Sequence, residues 1–421
     1  MPDQKQEMPA KTEEPIDQAK RTRLWVVTEL YYPEETSTGY YLTRIAEGLT
    51  DTFDTKAICG QPNYSARGTR SSRRETRNAV EIFRAHGTTL DKNVILFRLV
   101  NMITLNISIF FKSLFSFRNG DRVLVVTTPP LLPFTAAAAS LFRGVSYTLL
   151  IHDNYPELLV ATKKASEDGL FAITLNYFNR WLYKHAAKII VVGRDMQGLI
   201  EGKTKGLDVP ITFIPNWAEL ETVEPRPKDE NELLADLGLA SKFVLLYAGN
   251  MGHPNDIETI IEAAESLSEH EEIHFIFLGT GAKEGWLRKA VREYALTNVS
   301  ILAPQPRSQQ VVFLNACDLA LVSLVTKMRG VSMPSRTYNF MAAGKAFIAL
   351  TERDSELAQV IDEEKIGWHI APGNAEKLRD TIMNACGQRN EIREMGKRAR
   401  NAALGKYSLK TALDHYREAL K

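Results

Sequence analysis

The chain has 421 residues, a length that accommodates two domains of roughly 100–200 residues each. Hydrophobic residues make up 44% and charged residues 24%, as in ordinary globular proteins, and a net charge of +1 removes any bulk electrostatic case for nucleic acid. Cys59, Cys317 and Cys386 are too few and too scattered for a disulfide framework or a metal-ligand spacing; they fit buried thiols in a reducing, cytoplasmic compartment.

Residues 1–23 are polar and charged, without the apolar run of a signal peptide or an anchor, and read as a disordered tail. The first strand candidate is Leu24 to Leu30. A polar loop and Gly39 follow, then a helical pattern with Tyr41, Leu42, Ile45, Ala46 and Leu49 on one face. Short apolar strands recur at 56–59, 122–126, 147–151, 188–192 and 212–214, with helical patterns at 134–142 and 170–184. This alternation predicts a Rossmann-like domain over 24–217, with a parallel sheet covered on both faces. Residues 218–231, rich in Pro, Glu and Lys, read as a linker. The alternation restarts in a second Rossmann-like domain over 232–404. Residues 405–421 form a final helix expected to pack back on the first domain. Two such lobes place a ligand cleft between them.

The segment from Val94 to Phe117 is apolar apart from a narrow polar stripe at Arg98, Asn101, Thr104, Ser108, Lys112 and Ser116. Its charge-free run, Leu99 to Phe111, is too short to span a bilayer, and no later segment offers eighteen uncharged apolar residues. Residues 94–117 therefore read either as a helix lying in a membrane interface or as a helix buried in the first lobe. The loop 63–78 carries Arg67, Arg70, Arg73, Arg74 and Arg77, which suit anionic headgroups or an acceptor diphosphate, or simply a solvated loop.

The stretch from Gly330 to Lys345 holds the clearest local signals. Pro334 disfavours helix before it, Ser335 is a good N-cap, and Gly344 suits the position past the helix end. The helix start would offer unpaired amides to an anion, with Arg329 and Arg336 adding charge. The same pattern also describes an ordinary capped helix. Two glycine-bearing turns, Tyr247-Ala248-Gly249-Asn250-Met251-Gly252-His253 and Leu278-Gly279-Thr280-Gly281, follow apolar strands. Their glycines would let backbone approach a ligand, or would serve the turn geometry itself.

Taken in chain order, Tyr247 to Gly252, Phe277 to Gly281 and Pro334 to Gly344 resemble the donor half of glycosyltransferase family 4, in its bacterial O-antigen, colanic acid and capsular polysaccharide branch. Tyr31-Tyr32-Pro33-Glu34 before Gly39 and His152-Asp153-Asn154-Tyr155-Pro156-Glu157 fit its first half. The resemblance implies an α/β GT-B fold, two Rossmann-like lobes with parallel sheets facing a central cleft. It implies transfer of a sugar, with retention of configuration, from a nucleotide-sugar donor (UDP-linked by preference) and without a cofactor or required metal. It also implies a polyprenyl-diphosphate-linked acceptor at the inner face of the cytoplasmic membrane. Two family glutamates fall on Val331 and Asn339, and the cationic pair that holds the diphosphate has no obvious counterpart near His253 and Asp256. Arg329, Arg336 or Lys283 are the residues that could replace it.

The donor-binding set expected from this reading is Gly249, Asn250, Gly252, Gly279, Arg329, Gly330, Pro334, Ser335, Asn339 and Glu356. Thr38, Gly39 and Glu157 belong to the acceptor side. Arg336 would meet charge on the departing diphosphate, and Asp153, beside His152, would accept a proton or orient its neighbour. A glycosidase pair of Asp153 and Glu157 would leave the phosphate features idle, and His152, His185 and Asp153 lack a diagnostic metal spacing. A UDP-sugar epimerase of the same fold and a non-catalytic nucleotide-sugar binder remain the competing readings.

Overall fold

The computed structural model describes residues 21–63, 70–90 and 94–421. The first lobe holds strands β1 (Arg23–Val27), β2 (Asp54–Cys59), β3 (Arg74–Arg77), β4 (Val80–Arg84), β5 (Arg122–Val126), β6 (Ser146–Ile151), β7 (Lys188–Val191) and β8 (Ile211–Phe213). Its helices are α1 (Ser37–Gly48), α2 (Ile95–Ser116), α3 (Leu132–Arg143), α4 (Glu157–Ala161), α5 (Leu170–His185) and α6 (Arg194–Lys203). The sheet order is β3-β4-β2-β1-β5-β6-β7-β8, parallel except for β3. The β3–β4 hairpin turns through Asn78 and Ala79 at φ 46° and 62°, the left-handed pair a tight two-residue turn requires. No glycine marks it, and the sequence pattern there suggests only a basic loop. Arg74 pairs with Glu81 and Arg77 with Glu47, Arg70 and Arg73 are exposed, and Arg67 lies outside the described residues.

The second lobe begins with α7 (Glu232–Asp236) and continues through β9 (Phe243–Ala248), α8 (Ile257–Ser266), β10 (Ile273–Leu278), α9 (Glu284–Glu293), β11 (Val299–Leu302), α10 (Gln310–Asn315) and β12 (Leu319–Ser323). It ends with α11 (Arg336–Ala342), β13 (Ala346–Leu350), α12 (Glu356–Glu364), β14 (Gly367–Ile370), α13 (Ala375–Cys386), α14 (Arg389–Gly405) and α15 (Leu409–Leu420). Its sheet, β11-β10-β9-β12-β13-β14, is wholly parallel. The inner strands β9, β10, β12 and β13 are buried at every position, because helices cover both faces.

Both sheets reverse strand order once, between β1 and β5 and between β9 and β12. Ligand crevices in open α/β sheets form outside the carboxyl ends at such points. The loops leaving β1 and β9 are therefore the ones the topology places at the crevice.

The helix α15 crosses to the first lobe. Arg417 donates to the Gly48 carbonyl at 2.9 Å and pairs with Asp51 at 2.8 Å. A Cβ at Gly48 would stand 2.3 Å from a Leu413 methyl, so α15 packs closely here and a side chain at 48 would force Leu413 to move. By length and composition α2 could cross a bilayer. In this fold it lies along the sheet instead, with Leu105, Asn106, Ile109 and Ser113 buried.

Candidate functional site

The loop after β9 begins at Gly249 with φ 139°. A Cβ there would stand 3.0 Å from the Arg336 guanidinium carbon, and one on Gly279 (φ 143°) would fall 2.0 Å from the Gly249 carbonyl oxygen. The two turns are also stitched by Gly249 N to Leu278 O at 2.8 Å and Met251 N to Thr280 O at 2.9 Å. Gly279 thus serves turn-on-turn packing first, while Gly249 leaves room for Arg336. In the rim they form, the Gly249 carbonyl occupies the space a side chain at 279 would need, and Arg336 the space a side chain at 249 would need.

Arg336 opens α11 and folds over this rim. Its guanidinium lies 4.7 Å from the Tyr247 ring centroid and donates to Asn250 O at 3.4 Å and Asn255 Oδ1 at 3.3 Å. Its Nη1 is buried without a partner. A buried donor left unmade costs roughly 1–3 kcal/mol, which a phosphate oxygen reaching the turn would recover. Asn339, one turn on, is likewise buried with its Oδ1 unpartnered.

Ser335 precedes α11 in a helical conformation and makes no side-chain cap, contrary to the expectation from sequence. Its hydroxyl instead meets that of Ser37 at 2.8 Å, at the start of α1. Two helix starts, one from each lobe, thus face each other across the crevice. Gly344 does follow the helix in the left-handed region, at φ 63°. Thr38 is half-buried in the first turn of α1, and Gly39 packs against Glu34, where a Cβ would come within 3.0 Å.

The segment before α11 joins the lobes. Asp153 bridges Ser332, Asn154 N donates to Val331 O at 2.9 Å, and Asn154 Nδ2 to Gly330 O at 2.6 Å. Gly330, at φ 70°, donates to Asp195 Oδ2 at 2.8 Å. Val331 is buried beside Ala161, Leu324 and Met328, so this position holds an apolar contact and not a polar ligand group.

His152 and Asp153 leave β6 at the crevice. His152 Nε2 is buried without a partner, and burial pushes its pKa down to about 4, so the imidazole is neutral at pH 7. The Asp153 carboxylate accepts from Thr128 Oγ1 at 3.3 Å, and burial raises its pKa against the hydrogen bonds from Ser332 and Thr128.

Other expected site residues are committed elsewhere. Glu356 accepts from Arg194 N at 2.7 Å and Arg194 Nε at 2.9 Å, so it ties α12 to α6 across the lobes. Glu157 holds Lys203 at 2.7 Å within the first lobe, which removes it from any carboxylate pair with Asp153. Arg329 is exposed, 3.8 Å from Asp354, while its N–H donates to Glu352. Lys283 pairs with Glu258 at 2.7 Å, and Asp256 caps α8 through Thr259 N. Pro334 accepts from Thr337 N at the entrance of α11. A cavity of about 350 Å³, lined by Lys163, His253, Lys283 and Thr326 among others, opens beside the Gly249–Gly252 turn, and none of those four turn residues lines it. Among the described residues no group of three His, Cys, Asp or Glu side chains gathers to hold a metal.

Arg194 and Asp195 of the first lobe hold Glu356 and the Gly330 amide of the second, a pairing across the chain that the motifs above do not include. Its signal is the strand–Gly193–helix pattern that marks the other crevice loops. Arg307, whose guanidinium lies 3.7 Å from the Tyr40 ring centroid, joins the lobes with no local signal.

Residues 229–402 match the family described as Glycosyl transferases group 1. The chain is 30% identical over 371 residues to WbjE of Pseudomonas aeruginosa, named as a probable glycosyltransferase, covering 86% of this chain and 89% of WbjE. It is 26% identical over 373 residues, covering 84% and 90% of the two chains, to WcaI of Escherichia coli K12, which carries the name of a colanic acid biosynthesis glycosyl transferase without firm assignment. Its fold is similar to that of HepE from Anabaena in complex with UDP-glucose, with a TM-score of 0.71 at 16% identity over 95% of this chain and 99% of that one. The two parallel-sheet lobes are those of the GT-B glycosyltransferases.

Proposed function

From the premise that this chain belongs to the group 1 glycosyltransferases, we propose that it transfers a sugar, with retention of configuration, from a UDP-sugar to a lipid-linked glycan acceptor in the assembly of a cell-surface polysaccharide. The observation that carries the donor half is Arg336, folded on the Gly249–Asn250 turn with Nη1 buried and unpartnered. UDP as the carrier is favoured by the UDP-glucose bound in HepE, and the polysaccharide setting by the name of WcaI.

In this reading the bond between the anomeric carbon and the diphosphate oxygen breaks, and negative charge grows on the departing phosphate. Arg336 meets that charge where little reorganisation is needed, from a turn whose Gly249 and Met251 amides are already held by Leu278 and Thr280. Asn339 Oδ1 accepts from a ribose hydroxyl. It is a neutral group, so it orients without adding charge next to the diphosphate. From the first lobe, the neutral His152 imidazole has Nε2 free to hydrogen-bond a sugar hydroxyl. Asp153, whose carboxyl is raised by burial, takes the proton of the incoming acceptor hydroxyl. Glu356 has a positioning role, since its ion pair with Arg194 sets how the lobes meet.

A panel of UDP- and GDP-sugars read by thermal shift tests the donor, because a ligand of the native state raises its apparent stability. The productive donor should then give a sugar-extended lipid only with a lipid-linked acceptor. Epimerised donor without acceptor, or binding with no turnover under any acceptor, would sink the transferase reading.

A further inference from the structure

The two faces of the first-lobe sheet are covered differently. Right-handed crossovers put α1 on one face, with α15 against it, and α2, α3, α5 and α6 on the other. The outer side of α15 is ordinary, with Lys410, Asp414, Arg417 and Glu418 around a buried stripe of Leu413, Tyr416 and Leu420. On the opposite face the outer sides of α2, α3 and α5 are apolar, while α6 at its edge carries Glu201 and Lys203. Phe115 and Leu170 are each 81% exposed, Phe142 76% and Tyr177 74%. The Phe110 and Phe142 rings, 6.3 Å apart, join α2 to α3, and α3 lies in turn against α5. In the second lobe, exposed large apolar side chains among the described residues are scattered: Trp286, Tyr294, Met383 and Leu404. Soluble monomers rarely expose a contiguous apolar patch larger than a few hundred Å².

Charge narrows what this face can meet. The chain has 51 acidic residues in 421, yet α2, α3 and α5 contain none. Their charged side chains are Arg98, Lys112, Arg143, Arg180 and Lys184. A second copy laid face to face would oppose cation to cation, since a two-fold interface repeats the same patch on both sides. A surface of hydrocarbon edged by negative charge matches both properties. Orientation agrees. These helices run back along the strands they follow, so Leu96, Phe97, Leu170 and Phe171 lie at the carboxyl ends of the strands, where the crevice opens.

We infer that the outer sides of α2, α3 and α5 together form one docking face for an anionic lipid bilayer, lying in its interface and holding the crevice mouth toward the headgroups. The helix α2 does not cross the bilayer in this arrangement, because Asn106 Oδ1 accepts from Thr135 Oγ1 of α3 at 2.9 Å and Leu105 and Ile109 sit in the lobe core. The inference bears on the lipid-linked acceptor proposed above but does not depend on it.

Flotation of the whole chain with vesicles of phosphatidylglycerol and phosphatidylcholine, against phosphatidylcholine alone, tests it. Binding should require the anionic lipid and fall with salt. The pair Phe111→Asp with Phe115→Asp on α2, and separately Tyr177→Asp with Phe178→Asp on α5, should each lower the bound fraction at least about tenfold. Trp286→Asp in the second lobe should leave it unchanged. Brominated acyl chains should quench the fluorescence difference between the natural protein and Trp181→Phe, a readout that needs no destabilising change. Nucleoside diphosphate release without vesicles should be equal in the natural protein and the surface variants, so failure of docking and failure of the transfer reading are read apart. Equal flotation of the α5 pair and the natural protein with correct folding by circular dichroism would overturn the inference. So would the absence of bromine quenching, or a concentration-dependent dimer that the same substitutions dissociate while vesicles bind nothing.

Discussion

The two rims of the crevice solve the same positional problem in opposite ways. In the second lobe, the Gly249 and Gly279 turns interlock through backbone, and Arg336 lies on top with two of its donor contacts made inside the protein. In the first lobe, His152 and Asp153 present side chains whose ionisation burial has shifted, and His152 Nε2 has no partner. In the proposed reading, the first arrangement is a fixed cradle for the donor diphosphate. The second presents groups whose charge burial has disfavoured, His152 pushed down and Asp153 pushed up, which the proposed reading uses for hydrogen bonding and proton transfer. A rim built from backbone is intolerant of any added atom, whereas a rim built from side chains is tunable by pH.

That contrast can be broken most forcefully at Gly279. Gly279→Ala would place a Cβ 2.0 Å from the Gly249 carbonyl oxygen at a left-handed φ, so a loss of about 4 kcal/mol or more is expected in urea unfolding. A loss below about 1 kcal/mol would show that the turns slide apart easily. Next in size, Arg336→Ala should lower kcat/KM about 100-fold, or ~2.7 kcal/mol of transition-state stabilisation, with the melting temperature little changed. Unchanged kinetics in a folded variant would remove Arg336 from the phosphate role.

The side-chain rim should answer to pH. The His152 pKa lies at about 4 in the folded chain against an ordinary 6.5, so the unfolded chain binds the extra proton first. Its contribution is complete above pH 6.5 and is lost as pH falls toward 4, on the order of 3 kcal/mol. His274 is also pushed down to about 4 by burial, and it contacts Ser300 Oγ at 2.8 Å. His152→Gln should therefore flatten part of the acid limb of stability and leave the His274 part. Identical acid limbs in both proteins would contradict the burial of His152. The smallest effect is expected at the lobe junction, where Glu356→Ala should cost about 1–2 kcal/mol, because Arg194 keeps Glu363 and solvent as partners. Its diagnostic readout is a raised KM for the donor with near-normal kcat, since the pair positions lobes and touches no reacting atom.

Much of this architecture is legible before folding. Short apolar runs bounded by polar turns place the buried strands β5 and β13, and the half-buried edge strand β11, at the ends observed. The hairpin of β3 and β4 escapes notice because its turn uses Asn78 and Ala79 in place of glycine, and its strand β3 is a run of Arg, Glu and Thr on a sheet edge. The helix at Arg336 and the left-handed Gly344 are readable from local preferences. The missing Ser335 cap is not, because its hydroxyl is claimed by Ser37 from 298 residues away. Glu356 reads as a donor contact at a helix start, yet its partner Arg194 lies in the other lobe.

By itself, the sequence determined the two alternating α/β halves, the order of the crevice loops, the acid-free apolar character of the segment around residues 94–117 and the placement of Arg336 at a helix start. Those properties depend on neighbours a few residues apart, where periodicity, glycine and proline act. Tertiary structure alone decided which glycines serve each other, which carboxylates are spent on ion pairs, and that α3 and α5 extend the apolar face of α2. These outcomes depend on long-range packing, in which the partner of a side chain is set by how sheets and helices stack and not by its place in the chain.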